Sequence, residues 1–352
     1  MAFLPVADVI TRKQVAPGIT DNIFASGPTL AYLKANCLKT WPGGGVNTWQ
    51  ETFFYDVLNG QFFKAPPTFD ITQKQVENAT TWDARKAGVS VSADIDKLRV
   101  EYAGEGALFD YIDERLQNAA LTMSEALASA IFRNGQTAGR TETINGLEEA
   151  LNDGVTASFA GNTFTSYGTV LRSSVRIAGR PLGALDSPMT APAAAVSNNI
   201  TYPLLEQAYS SVTYGLEEPN LIVTTPLGLS YIKMAFQSQQ RFMTQSAKFG
   251  FTGVEFNNAV IMADRYAPGT AGGSSLALGQ SSQDTDGETI WFLNVKKDHM
   301  GLWLSNDDLM GFGFTGWKPA QGNLTAVGQY LFAGNFTVRN TRYHRYLHAV
   351  TG

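Results

Sequence analysis

His344 and His348 stand four residues apart, a spacing that on a helix would turn two imidazoles to one face and let them share a metal ion. The chain around them, Gln329–Leu347, alternates apolar and polar residues as a strand does, and no Asp, Glu or Cys follows Arg345 to complete a ligand set. The pair is expected to be structural. Gly311-Phe312-Gly313-Phe314-Thr315-Gly316 has the spacing of a dinucleotide fingerprint, which works only where a helix N-terminus follows to hold the pyrophosphate. Trp317-Lys318-Pro319 follows instead, so a glycine-rich strand connection is expected. Asp284-Thr285-Asp286-Gly287-Glu288 resembles part of a calcium loop but lacks its ligand spacing, and reads as a solvated turn. There is no Gly-Lys pair for a Walker-type phosphate loop and no Gly-X-Ser-X-Gly elbow. Three histidines in all leave few bases for a nucleophilic triad. The single Cys37 cannot form an internal disulfide and reads as a small buried hydrophobe. The expectation is a protein that is not an enzyme, with no metal and no cofactor.

Composition gives a positive indication. Lys+Arg number 26 and Asp+Glu 31 in 352 residues, so 16% of the chain is charged, against about 25% in ordinary soluble proteins. Apolar content is ordinary at 44%. The missing charges have been replaced by Gly, Ser, Thr, Asn, Gln and Ala, which are cheap to desolvate against a partner. Charge keeps a free surface soluble and monomeric, so much of this surface is expected to face other protein. The net charge of −5 argues against a sequence-independent grip on nucleic acid. The opening Met-Ala-Phe-Leu-Pro-Val-Ala-Asp lacks the basic region of a signal peptide, and no window approaches 18 uninterrupted apolar residues, so no membrane span is expected.

The elements that would carry such a surface can be placed in order. Residues 1–39, with Pro5, Pro17, Gly18 and Pro28, suggest an extended arm. After Trp41-Pro42-Gly43-Gly44-Gly45, the residues Trp49, Phe53, Tyr55 and Val57 alternate as on one face of a strand. Asn59-Gly60 is the sequence of a two-residue hairpin turn, Gln61–Lys64 begins the return, and Pro66-Pro67 ends it. Seven aromatics fall between Trp49 and Phe69 with little chain around them to bury them, which makes Trp49, Phe53, Phe54, Tyr55, Asn59, Gly60, Phe62 and Phe63 candidates for contact with a partner. Val89–Ser92 reads as a further strand. From about Ala107 to Arg133 an apolar stripe of Leu108, Ile112, Leu116, Ala119, Met123, Leu127 and Ala130 predicts one long helix, closed by Gly135. Later come a helix beginning at Thr201, a strand at Leu221–Val223, a helix at Pro226–Phe236, and strands at Val254–Met262 and Ile290–Val295. The 329–347 stretch is expected to form long antiparallel strands.

This order resembles the major capsid proteins of tailed bacteriophages, which have the Hong Kong 97-like fold, an α+β architecture. The stretches Ile144-Asn145-Gly146-Leu147, Tyr167–Ser174, Pro219–Pro226, Val254–Pro268 and Ile290–Asn294 resemble the corresponding stretches of that family. The resemblance implies an N-arm (1–39), an extended loop or E-loop lying over a neighbour (40–97), a peripheral domain (98–199 completed by 288–352) with the spine helix at about 105–134, and an axial domain (200–287). It implies hexamers and pentamers closing into an icosahedral shell, assembled in the host cytoplasm. Portal, decoration protein and packaged double-stranded DNA, held without sequence-specific contacts, are the implied partners. An N-terminal segment this short leaves no room for a cleaved scaffold, so scaffolding is expected from a separate protein. An encapsulin-type nanocompartment, with the same fold around a protein cargo, is the alternative.

Overall fold

The computed structural model describes residues 27–41, 47–60, 62–63, 72–94, 105–138, 140–177, 180, 182–189, 198–236, 244–246, 252–270, 287–306, 311–320 and 325–352; side chains are described for all of these except 94, 105–114, 198, 244–246, 252–254 and 312. In chain order they form α1 (Pro28–Cys37), β1 (Leu38–Trp41), β2 (Thr48–Phe54), β3 (Glu77–Asp83), β4 (Arg85–Asp94), α2 (Glu105–Ala130), α3 (Leu147–Ala150), β5 (Ser166–Tyr167), β6 (Val170–Leu171), β7 (Asn198–Asn199), α4 (Tyr202–Ser211), β8 (Leu221–Thr224) and α5 (Pro226–Phe236). Then follow β9 (Thr244–Ser246), β10 (Thr252–Phe256), β11 (Ala259–Ala263), β12 (Glu288–Leu293), β13 (Met300–Ser305), β14 (Gly311–Phe314), β15 (Lys318–Pro319), β16 (Thr325–Val338) and β17 (Arg345–Thr351).

The first sheet is organised by β16. Its residues 325–334 pair antiparallel with β4, and it also pairs with β13, β14 and β15, while β1 adds to β13 in parallel. The glycine-rich stretch expected as a strand connection is β14 itself, with no helix after it. The second sheet runs in the order β7-β17-β12-β8-β11-β10-β9. Its central strands β8 and β12 are buried throughout, as a sheet covered on both faces requires. Alternation divides their side chains between two cores. Leu221, Val223, Trp291 and Leu293 join the core that holds α1 and α2, whereas Ile222, Ile290 and Phe292 join a second core under α4 and α5.

Several sequence expectations need correction. Residues 28–39 are not part of an extended arm: Pro28 occupies the first turn of α1, where its missing N–H is harmless, and Leu30, Leu33 and Cys37 are buried. Asp264, itself buried, accepts from Thr29 N at 3.2 Å and fixes that helix to the end of β11. The expected arm before residue 27 lies outside the described residues. Asn59-Gly60 does not join β2 to its partner; the partner is β3, with Thr48 opposite Asp83 and Phe54 opposite Glu77. β3 begins ten residues past Pro67, and prolines cannot donate to a ladder. The two-residue turn occurs elsewhere. Val254–Met262 is two strands, split at Asn257 (φ 45) and Asn258 (φ 66), the left-handed pair that a type I′ turn needs. The domain boundary expected at 287–288 runs through the second sheet, because β12 and β17 pair there rather than with β16.

α2 ends at Ala130, not near 134, and Gly135 is not its cap. A short turn continues through Arg133 N→Ala130 O, and Leu147 N then donates to Ile131 O at 2.7 Å. Gly146 is the glycine the helix end requires: a Cβ there would collide with the carbonyl oxygens of Ala130, Ile131 and Arg133. Leu116, Met123 and Leu127 are core residues, and the side chains of Leu108 and Ile112 lie outside those described. Leu116→Ala should cost about 2–5 kcal/mol in chemical denaturation. Leu116→Asp, which would bury an unpaired charge, should give insoluble protein; a soluble, folded Asp variant would place the stripe on the surface instead.

Candidate functional site

The surface that could engage a partner is the β2–β3 ribbon and the excursion beyond it. Alternation along β2 splits the candidate residues into two sets. Trp49, Phe53 and Tyr55 are half-buried against the main core, so they anchor the ribbon to its own chain. Trp49 lies 5.6 Å from Trp41 and 5.4 Å from Trp303, ring centre to ring centre, which ties β2 to β1 and β13. Phe54, Val57, Leu58, Phe62 and Phe63 are exposed, Phe62 completely, and so are Asn59 and Gly60.

The root of the ribbon is held by polar contacts that the sequence did not advertise. Glu51, buried on β2, accepts from Arg339 Nε at 3.0 Å, just past the end of β16. Thr80 Oγ1 donates to Glu51 O and accepts from Trp82 Nε1, and Trp82 meets Tyr167 edge-on at 4.8 Å. Thr81 N donates to Gly168 O, in the turn joining β5 to β6. Gly168 has φ +56, and a Cβ there would sit 2.6 Å from Thr80 Cβ, so only glycine lets the turn approach β3 this closely. Beyond the paired residues, Lys74 Nζ reaches Asp56 at 2.6 Å and Val57 O at 3.1 Å, holding the two limbs of the excursion together.

Beneath the root is a buried polar cluster assembled from Ile144–Leu147 and Tyr167–Ser174, two of the stretches that carried the family resemblance. Glu148 and Glu149 are both fully buried. Glu148 accepts from Asn134 Nδ2 (2.6 Å), Ser158 Oγ (2.7 Å) and Asn162 Nδ2 (3.1 Å). Glu149 accepts from Gly135 N (3.0 Å) and Asn145 Nδ2. Arg172 donates to the carbonyls of Phe164, Leu185 and Glu149, so its charge staples loops rather than pairing with a carboxylate. Asn335 on β16 and Asn145 bond each other reciprocally at 2.8 and 2.9 Å, and Asn335 also donates to Asp83 O at the ribbon root.

The positions considered for chemistry serve structure. His344 is buried and accepts from Asn294 N through Nδ1, and burial holds its pKa down at about 3. His348 lies on β17, where a four-residue step spans about 13 Å and cannot converge two imidazoles on one ion. Glu288 is no solvated turn: it is buried on β12, accepting from Thr225 Oγ1, Thr270 N and Thr270 Oγ1. The rest of that turn, 284–286, lies outside the described residues. Burial pushes the Cys37 thiol up to about 12. Among the described residues there is no group of three or more His, Cys, Asp or Glu placed to hold a metal, and no helix long and apolar enough to cross a membrane.

Burial raises Glu149 from an ordinary 4.5 to about 7, against the pull of its two donors. The folded chain therefore keeps a proton that the unfolded chain loses, and this contribution to stability is present below 4.5 and lost as pH rises through about 7. Glu149→Gln should flatten that part of the profile. The Tm difference between variant and parent should move in the variant's favour from pH 5 to pH 8, and an unchanged difference would show that the carboxyl does not titrate there.

No protein-family model matches the chain, and no curated protein matches it in sequence. Solved structures do match it in shape. The capsid asymmetric unit of cyanophage A-1(L) superposes with a TM-score of 0.60 at 11% identity, covering 92% of this chain and 93% of that one. The holo-SrpI encapsulin of Synechococcus elongatus PCC 7942 gives 0.59 at 10% identity over 91% and 87%. The capsid of a native GTA particle gives 0.56 at 7% identity over 90% and 89%. This chain, a mixture of helices and strands, has the Hong Kong 97-like fold of these shell proteins.

Proposed function

We propose that this chain is the major capsid protein of a tailed double-stranded DNA bacteriophage, assembling as hexamers and pentamers into an icosahedral shell around the genome. The observation that carries the reading is the β2–β3 ribbon: firmly rooted, it presents Phe54, Val57, Leu58, Phe62 and Phe63 to water on a fold used for shells. Exposed large apolar side chains clustered along one excursion of the chain are the mark of a protein–protein contact. The low charge of the chain agrees with a subunit whose flanks are covered by neighbours. In this reading the ribbon is the E-loop, α2 the spine helix of the peripheral domain, and the second sheet with α4 and α5 the axial domain. The role is structural rather than enzymatic, and the chain resides in the virion. Its partners are other copies of itself, a portal and a separate scaffolding protein, with a decoration protein as a further candidate, and DNA is held without sequence-specific contacts.

The encapsulin match supports a second reading, a nanocompartment around a protein cargo, since its TM-score is nearly that of the cyanophage capsid. Negative-stain microscopy of the purified full chain should show closed shells of uniform size, and a strict monomer would overturn both readings. Particles from the native source should contain double-stranded DNA; one protein cargo without DNA would select the encapsulin reading.

The two sets of ribbon residues should respond differently to mutation. Deleting 58–68, or the pair Phe62→Ser and Phe63→Ser, should leave Tm within a few degrees of the parent but stop shell closure in the same microscopy assay. Trp49→Ala should instead lower stability by about 3–5 kcal/mol. Normal shells from the double Ser variant would remove the ribbon tip from the contact.

A further inference from the structure

Asn-Gly occurs three times in the chain, at Asn59-Gly60, Asn134-Gly135 and Asn145-Gly146. Asparagine is a thermolabile residue, and a following glycine makes it more so, having no side chain to shield its amide nitrogen. The glycine N–H loses its proton to hydroxide, and the nitrogen bonds to the asparagine Cγ. Cγ then expels Nδ2 as ammonia, leaving a cyclic imide. Water opens the imide at either carbonyl, giving aspartate or isoaspartate. One water is consumed, one ammonia leaves, and nothing is oxidised or reduced. By sequence the three pairs are equivalent. We propose that the fold silences two of them and leaves Asn59 as the site of spontaneous deamidation in the folded chain.

For the attack, the asparagine must swing its Cγ onto the next backbone nitrogen, and water must reach both. Asn134 is fully buried, its Nδ2 donating to Glu148 at 2.6 Å and its Oδ1 accepting from Thr137 N at 3.0 Å. Its nucleophile is engaged as well, since Gly135 N donates to Glu149 at 3.0 Å. Asn145 is buried, with Nδ2 donating to Glu149 and Oδ1 accepting from Asn335 Nδ2 at 2.8 Å. Gly146 is walled in by the carbonyl oxygens of Ala130, Ile131 and Arg133. Asn59 and Gly60 differ on each count. Both are exposed, in a stretch that is neither helix nor strand, and no atom lies within 4 Å of the place a Gly60 Cβ would take. Torsional freedom and water are therefore both available at Asn59. The new carboxylate stands three residues from Asp56, which Lys74 clasps, and isoaspartate also lengthens the main chain by one methylene. A chain thus carries a chemical record of its age on the excursion that bears Phe62 and Phe63.

The test is peptide mass mapping of the purified full-length chain during storage at mildly acidic and mildly alkaline pH, with isoaspartyl methyltransferase labelling to identify the product. Conversion at Asn59 should exceed that at Asn134 and Asn145 by at least about tenfold, since ring closure depends on orientation. It should also rise about tenfold per pH unit, as the deprotonated fraction of the amide does. The same chain unfolded in guanidinium chloride reports what the fold contributes: Asn134 and Asn145 should accelerate to the rate of Asn59, and Asn59 should hardly change. Gly60→Val shields the nitrogen. Gly60 has no left-handed φ and open space around it, so this variant should fold like the parent and convert Asn59 far more slowly. An unmodified Asn59 in the folded chain, equal conversion at Asn134 or Asn145, or acceleration of Asn59 by denaturant as large as theirs would each overturn the proposal. Conversion that Gly60→Val does not slow would overturn the route through the glycine nitrogen.

Discussion

Ten consecutive residue pairs, Arg85–Asp94 against Thr325–Gly334, join parts of the chain that lie far apart in sequence, and the remaining architecture is arranged around that ladder. At one end of it Asn335 bonds Asp83 O, 252 positions away, and closes the ladder where the ribbon departs. The same side chain bonds Asn145 and so sets the loop whose Gly146 and Leu147 receive the end of α2. Ribbon root, the end of α2 and β16 therefore meet at one point. The direction in which the ribbon projects is fixed by the core and not by its own turn.

Polarity in this protein is distributed unusually. The surface is poor in charge, while Glu148, Glu149, Arg172, Asp264 and Glu288 are buried. Each buried carboxylate accepts bonds from backbone or side-chain donors in loops and at a helix start, so ionic groups take the place of regular secondary structure where the chain is irregular. Such groups add little net stability over well-packed apolar residues but penalise misplacement heavily, because a half-satisfied buried charge costs several kcal/mol. They suit a chain whose irregular loops must hold one shape.

Much of this was legible in the sequence where the signal was local. The periodicity of Leu116, Ala119, Met123 and Leu127 gave α2, and Pro226 with the apolar run after it gave α5 with both bounds. What failed was non-local. Asn59-Gly60 carries the stronger hairpin signal, yet the turn forms at Asn257-Asn258, because pairing register is decided by which strands can complete a ladder. The membership of β12 and β17 in the second sheet depends on partners more than 50 positions distant and leaves no trace in their own composition. For the candidate site, the surplus of aromatics was visible and the alternation of Trp49, Phe53 and Tyr55 was visible. That this alternating face turns toward the chain's own tryptophans, leaving Phe54, Phe62 and Phe63 outside, could be known only once β1 and β13 were in place.

The placement of β16 also bears on the order of events during synthesis. β4 emerges from the ribosome long before its partner, and the ribbon with its exposed phenylalanines emerges earlier still. The strand that pairs with β4, however, is β16 at 325–338, and the second sheet lacks a strand until 345–351 has been made. A nascent chain therefore displays the ribbon before the sheet that roots it is complete. The wiring of the sheets works as a timer, withholding the finished fold until the last strands have been made.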